Sequence, residues 1–284
     1  TQVHHGTPLK LMGVEERGQD RAWMNGLLAR SQHWDYSVVS SPYCAEVWQH
    51  SYPVKCETLE YGYPRNDVLA NADAEVVASA RDRVGITASG RIVLYMPTFR
   101  ERSQDSISAE DINTVASALE PGDVLLTRGH YFAGRSLAGD MHPAVLDVTE
   151  HSSVEDLYLA ADVLVTDYSS AMFDYANLGR PIVIFAYDWD HYRAQRGTYF
   201  DITVDAPGAV VSTAAELGSV LASREYANRE NDKRLTRFAA IFCAFETGHA
   251  ARDIVARVID GTPARVPQRR AAPALTSWIM DRVA

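Results

Sequence analysis

The sequence predicts an α/β protein built on a doubly wound parallel sheet, and three observations lead there. From about residue 90 onward, short continuously apolar runs alternate with amphipathic stretches, as strands covered by helices on both faces require. Cap and turn residues punctuate those runs where helices should start and stop. The chain is 284 residues long, 46% hydrophobic and 23% charged, enough for one such domain and part of another.

The elements follow in order. Within the first 66 residues, Leu27–His33 reads as a helix, Asp35–Ser40 as a strand and Ala45–His50 as a helix. One strand is too few for a sheet, and the opening Thr-Gln-Val-His-His-Gly-Thr-Pro reads like the interior of a domain. Residues 1–66 are therefore expected to be the trailing part of a first α/β domain. Residues 67–262 are expected to form the second. There, Arg91–Met96 is a strand stopped by Pro97, Ile107–Leu119 a helix closed by Pro121-Gly122, and Asp123–Thr127 and Ala144–Thr149 two further strands. Ser152 and Glu155 have capping-box spacing and open a short helix through Ala161. Asp162–Thr166 is a strand, followed by Asp-Tyr-Ser-Ser and a helix to Leu178. Gly179 stands where a left-handed residue ends a helix, with Pro181 after it. Pro181–Tyr187 and Ala209–Val211 are the last strands; Thr213 with Glu216 is a second capping box, and helices follow over roughly 226–242 and 248–260. Residues 263–284 read as a Pro/Arg-rich linker and a terminal amphipathic segment.

Composition excludes several functions. With 27 basic and 37 acidic side chains, the formal charge is −10; a nucleic-acid binder working through a general phosphate field needs the opposite surplus. The longest apolar runs fall well short of the roughly 20 residues that span a bilayer. Cys44, Cys56 and Cys243 cannot all pair, and no Cys/His cluster has zinc-ligand spacing; buried thiols in a reducing compartment are expected.

The chemistry concentrates at strand ends. Asp167-Tyr-Ser169-Ser170 lies between a strand and a helix, where the first helical N–H groups are unsatisfied and an anion is welcome. The same motif also serves as a plain turn and cap. Thr98 and Arg100 follow one strand, and Arg128 and His130 another. In open α/β sheets ligands bind outside those strand ends, so the groups together describe a seat for a phosphate-bearing ligand on an otherwise acidic protein. No Gly-x-Gly-x-x-Gly or Walker lysine motif accompanies them. His5 sits beside Gly6 on a turn, with Thr7 and Lys10 close behind, while the adjacent His4 is expected to face elsewhere. Thr247-Gly248 precedes a helix and offers a further anion cap. Asp188–Tyr192, with Arg193 and Arg196, reads as an irregular loop held by aromatic packing and Arg–Asp pairs; Asp167 and Asp188 are the candidate ligands for a divalent metal.

Taken together, His5-Gly-Thr-Pro-Leu-Lys10, Gly62-Tyr-Pro-Arg65-Asn-Asp67, Tyr95-Met-Pro-Thr-Phe-Arg100 and the run Ala161–Ala176 resemble the CDP-glycerol glycerophosphotransferase family, the teichoic-acid primases and polymerases. Arg180–Asp188, Arg196-Gly-Thr-Tyr-Phe-Asp201 and Phe242–Ala250 continue the likeness in the same order. The resemblance implies a GT-B-like fold, with residues 1–66 from the acceptor-side Rossmann-like domain and 67–262 the CDP-donor domain. It implies transfer of glycerol phosphate from CDP-glycerol, or ribitol phosphate from CDP-ribitol, to a lipid-linked polymer, with release of CMP. It makes His5 and His130 the catalytic histidines. Gly6, Thr7, Lys10, Arg65, Thr98, Arg100, Arg128, Asp167, Ser169, Ser170, Thr247 and Gly248 become substrate-binding residues. A cytoplasmic enzyme lying on the inner face of the membrane, attached through its Arg-rich tail or segments absent here, is the corresponding location. A GT-B nucleotide-sugar glycosyltransferase and a non-catalytic nucleotide- or anionic-polymer-binding module are the competing readings.

Overall fold

The computed structural model describes residues 1–98, 107–129 and 141–262. In chain order the helices are α1 Arg21–Ser31, α2 Pro42–Ser51, α3 Asp67–Ala70, α4 Ala74–Val84, α5 Ala109–Ser117, α6 Val154–Ala160, α7 Ala171–Tyr175, α8 Trp189–Arg196, α9 Ala214–Ser223, α10 Arg229–Phe242 and α11 Ala250–Val258. The strands are β1 Tyr36–Val38, β2 Glu57–Leu59, β3 Ile92–Met96, β4 Val124–Thr127, β5 Val145–Asp147, β6 Val163–Thr166, β7 Ile182–Phe185 and β8 Ala209–Val211. These elements form two compact units. One comprises Thr1–Asn71, Asp188–Asp201 and the described residues from Arg237 onward; the other comprises Ala72–Tyr187 and Ile202–Thr236. The units thus cut the chain differently from a division at residues 66 and 67, because two late segments join the N-terminal one.

The second unit holds a six-stranded parallel sheet in the order β5-β4-β3-β6-β7-β8. Counted from its own first strand this is 3-2-1-4-5-6, the doubly wound order whose ligand crevice opens where the order reverses, between β3 and β6. The central strands β3, β6 and β7 are buried almost throughout, which explains their unbroken apolar sequence, while the edge strands β5 and β8 are more open. Alternate residues divide between the faces: Val93, Tyr95, Val165, Val183 and Phe185 pack beneath Ile112 and Val115 of α5 and Leu217 and Leu221 of α9. Helix ends follow local chemistry. Thr213 and Glu216 form the expected capping box on α9, and Gly179 ends the turn after α7 at φ 64°.

The box expected at Ser152 and Glu155 is displaced by one residue: Ser153 caps α6 by accepting from the Asp156 N–H. The Asp188–Tyr192 segment is helical rather than irregular, as the first part of α8. Its aromatic packing and ion pair are nonetheless present: Trp189 and Tyr192 are buried and Arg193 meets Asp201 at 3.0 Å.

In the N-terminal unit β1 and β2 pair in parallel, and Gln2 adds a bridge to Ser37. Tyr43, Phe200, Phe238 and Phe242 form its aromatic centre, with neighbouring rings 4.5–6.0 Å apart. Cys44 and Cys243 are buried and Cys56 is half-buried, all three as thiols rather than disulfides.

Candidate active site

In the N-terminal unit His5, Gly6, Thr7 and Lys10 lie on the segment that precedes α1. The Tyr43 hydroxyl donates to the Pro8 carbonyl at 2.6 Å, and Val38 N–H to Gln2 O at 2.9 Å, so both ends of the His4–Pro8 turn are tied to the core. Gly6 takes φ 131° within it, a value that L side chains rarely adopt. The two histidines part as expected. His4 stacks flat on Trp48 at 4.1 Å, and its Nε2 shares a 2.9 Å hydrogen bond with Ser37. Burial, reinforced by His5, lowers its pKa to about 3, so it stays neutral as a packing residue. His5 is exposed, with its ring 6.0 Å from Trp48. Loss of surrounding water, then the charges of Arg65 and Lys10, lower its pKa below the ordinary 6.5. Both cations disfavour the protonated ring by charge repulsion.

Lys10 lies over the Tyr192 ring at 5.7 Å, and Arg65 over Tyr63 at 5.0 Å. The structure therefore brings His5, Lys10 and Arg65 into one electrostatic neighbourhood, a neutral imidazole beside two cations. Thr7 differs from its sequence reading. Its side chain is buried, and its hydroxyl is shared with Ser40 at 3.0 Å, an internal bond; Gly6 is buried beside it, and His5 is the exposed residue of the turn.

Thr247 and Gly248 also differ. They do precede α11, but the anion at that helix end is the chain's own: Asp67 accepts from the Ala250 and Ala251 N–H groups, both at 2.8 Å. Asn71 donates to the Gly248 carbonyl at 2.7 Å. An internal carboxylate thus occupies the place a ligand anion would take. Nearby, the buried Glu246 accepts from Tyr63 N–H and the Asn66 amide, fixing the turn that carries Arg65.

In the second unit the switch point between β3 and β6 is bridged by one carboxylate. Asp167 is fully buried, and its Oδ1 accepts from the Thr98 N–H at 2.7 Å, the Thr98 hydroxyl at 2.6 Å and the Tyr168 N–H at 2.6 Å. Asp167 therefore positions Thr98 and the start of the Asp-Tyr-Ser-Ser turn. Ser170 occupies the N-cap place of α7 without making a side-chain cap bond; Ser169 accepts from Ala171 N–H at 3.3 Å instead. Since α7 has only five residues, the hydroxyls and loop N–H groups outweigh any helix dipole there. Beyond β4, Arg128 is held by its N–H to Tyr95 O at 3.0 Å, and its buried Nη1 has no hydrogen-bond partner among the described residues. A buried guanidinium nitrogen in that condition suits an anion. Arg100 and His130 lie outside the described residues. No group of three His, Cys, Asp or Glu side chains among the described residues gathers as a metal site.

Sequence reasoning missed Tyr192, Tyr199, Trp48 and Asp67 as supports of these sites. The Arg196–Asp201 motif was the available signal for Tyr199.

Comparison with known proteins follows the same outline. Residues 1–260 match the family model described as CDP-Glycerol:Poly(glycerophosphate) glycerophosphotransferase. The chain is 34% identical over 270 residues to the teichoic acid glycerol-phosphate transferase of Staphylococcus aureus, covering 89% of this chain and 69% of that protein. It is 30% identical over 276 residues to the teichoic acid poly(glycerol phosphate) polymerase of Bacillus spizizenii, covering 91% of this chain and 69% of the relative. Among solved structures, a variant of the wall teichoic acid polymerase TagF soaked with CDPG superposes with a TM-score of 0.76 at 30% identity, over 88% of this chain and 64% of that one. The chain thus spans about two thirds of the length of these relatives. With the whole described fold inside that match, the chain belongs to the CDP-glycerol:poly(glycerophosphate) glycerophosphotransferase family.

Proposed function

We propose that the chain transfers glycerol phosphate from CDP-glycerol to a hydroxyl of a lipid-linked, teichoic-acid-type or capsule-type polymer, releasing CMP. The observation that carries this reading is the family match along residues 1–260, and the arrangement of side chains supplies its chemistry. The acceptor oxygen attacks phosphorus, the bond from phosphorus to the CMP oxygen breaks, and the acceptor proton passes to His5. A general base must be neutral at working pH, and the low pKa of His5 provides that. Lys10 and Arg65 offset negative charge near the reacting group. In the second unit Thr98, Arg128, Ser169 and Ser170 hold the donor's phosphates, with Asp167 as their positioning residue. Such catalysis works by placement and charge stabilisation. Arg100 and His130 complete the donor side by resemblance, with His130 stabilising the departing CMP.

The location on the inner face of the membrane belongs to the same proposal. No helix among the described residues is long and apolar enough to cross a membrane. Attachment would come from the Arg-rich segment 263–284, which lies outside the described residues.

Donor preference tests the reading. CDP-glycerol at a hundredfold excess over its Kd should stabilise the chain by about 2.7 kcal/mol, seen as a rise in Tm, while UDP- and GDP-sugars leave Tm unchanged. A rise with a UDP- or GDP-sugar alone contradicts the reading in favour of a glycosyltransferase, and a rise with CDP-ribitol alone changes the donor.

A further inference from the structure

The Arg196–Asp201 motif has no part in the chemistry above, and its geometry gives it one. Lys10 and Thr198 face each other in an antiparallel bridge. The flanking bonds run from Leu11 N–H to Gly197 O at 3.2 Å and from Tyr199 N–H to Leu9 O at 2.9 Å. Lys10 and Thr198 are therefore a non-hydrogen-bonded pair, whose side chains leave the same side of the two strands with Cβ atoms about 4.5–5.5 Å apart. The rest of this strap is committed. The Tyr199 hydroxyl donates to Glu15 at 2.6 Å, accepts from Met12 N–H at 3.1 Å and meets Ser51 at 2.7 Å. Gly197 has φ 68°, and a Cβ there would come within 2.5 Å of Leu11 Cδ1, so the strap is pressed closely against the segment bearing Lys10. Thr198 is the exception: its Oγ1 is buried and has no hydrogen-bond partner among the described residues.

Buried hydroxyls are nearly always satisfied, and one that is not calls for a reason. A lysine ammonium has donors only, and a threonine hydroxyl can donate; side by side, the two suit one shared acceptor carrying negative charge. We propose that Thr198 is a further substrate-contacting residue, its hydroxyl donating to the phosphate oxygen that Lys10 attracts beside His5. Movement of the Lys10 ammonium from the face of Tyr192 toward that anion opens the same side of the strap to it. The inference rests on the transferase reading for the phosphate, which belongs either to the donor or to the growing end of the acceptor.

Thr198→Val, Thr198→Ser, Lys10→Met and the Lys10→Met/Thr198→Val double variant test it through CMP release, with CDP-glycerol and lipid-linked acceptor varied separately. Valine should raise one KM about tenfold, as loss of a hydrogen bond to a charged group does, while Tm holds or rises. Serine should restore the parental KM, and the double variant should lose less than the sum of its parts. The substrate whose KM rises is the one that carries the phosphate. Parental KM and kcat in the valine variant overturn the proposal, as does a fall in Tm of several degrees with KM unchanged. If the parent releases no CMP from CDP-glycerol, the transferase reading fails. Thr198 is then judged by inorganic pyrophosphate binding: a tenfold weaker affinity in the valine variant supports it, and equal affinity, or no binding by the parent, overturns it.

Discussion

At the residue scale the decisive contrast is between two adjacent histidines. His4 is stacked, bonded to Ser37 and held neutral; loss of surrounding water, then the charges of Arg65 and Lys10, lowers the pKa of His5. The turn at Gly6 and the anchoring of Pro8 separate their environments although the chain places them side by side. The pH dependence of kcat/KM follows from this. Activity should rise with pH through an inflection below 6.5, as His5 loses its proton. Removing either positive neighbour, by Lys10→Met or Arg65→Met, makes the imidazolium less unfavourable, so the inflection should move up toward 6.5. A profile that stays in place in both variants contradicts His5 as the titrating base. His5, Gly6 and Lys10 stand together in one motif of the sequence, whereas Arg65 belongs to a separate motif and its influence on His5 emerges only in the structure. Thr7 was not separable from them, since whether a hydroxyl turns toward Ser40 or toward solvent depends on a residue 33 positions away.

At the scale of elements, the sheet was easier to read than the pieces around it. Strands β3 to β8 announce themselves by unbroken apolar runs, and α9 by Thr213 and Glu216. Helix α4 went unread because it buries only Ala80, too little to mark an apolar face, despite Asp73 at its start and Gly85 after its end. Helix α8 buries just Trp189 and Tyr192, too few positions to establish a period. Strand β2 has three residues and is recognisable only through its pairing with β1. The cap of α11 shows the same dependence on distant residues: Thr247 and Gly248 look like an open anion seat until Asp67 is placed against Ala250 and Ala251. Asp67→Ala should therefore destabilise the chain by about 1–2 kcal/mol, measured by chemical denaturation. Asp67→Asn should recover part of that loss. If Asp67→Ala instead leaves stability unchanged and strengthens or weakens donor binding, α11 is a ligand site rather than an internally capped helix.

At the scale of the whole molecule, each unit contributes a distinct kind of chemistry. The N-terminal unit offers an imidazole beside two cations, and the second offers hydroxyls at a topological switch point and, beyond β4, an arginine nitrogen with no hydrogen-bond partner among the described residues. That distribution reconciles a formal charge of −10, with 37 acidic against 27 basic side chains, with membership of a family of phosphate-transferring enzymes: an anion meets local basic groups, and a net basic chain is not required. The family assignment was readable in colinear motifs, because each one sits at a strand end or a tight turn where few residue types serve. The extent of each compact unit was not, because Asp188–Asp201 and the segment after Arg237 rejoin the N-terminal unit through contacts that leave no local pattern. The measurement that bears most directly on the account is CMP release from CDP-glycerol in the presence of a lipid-linked acceptor, comparing the parent with His5→Ala. The account predicts CDP-glycerol-dependent release by the parent and a loss of about 10²–10⁴-fold in kcat for the variant, with CDP-glycerol binding retained. Release by His5→Ala within tenfold of the parent would contradict it.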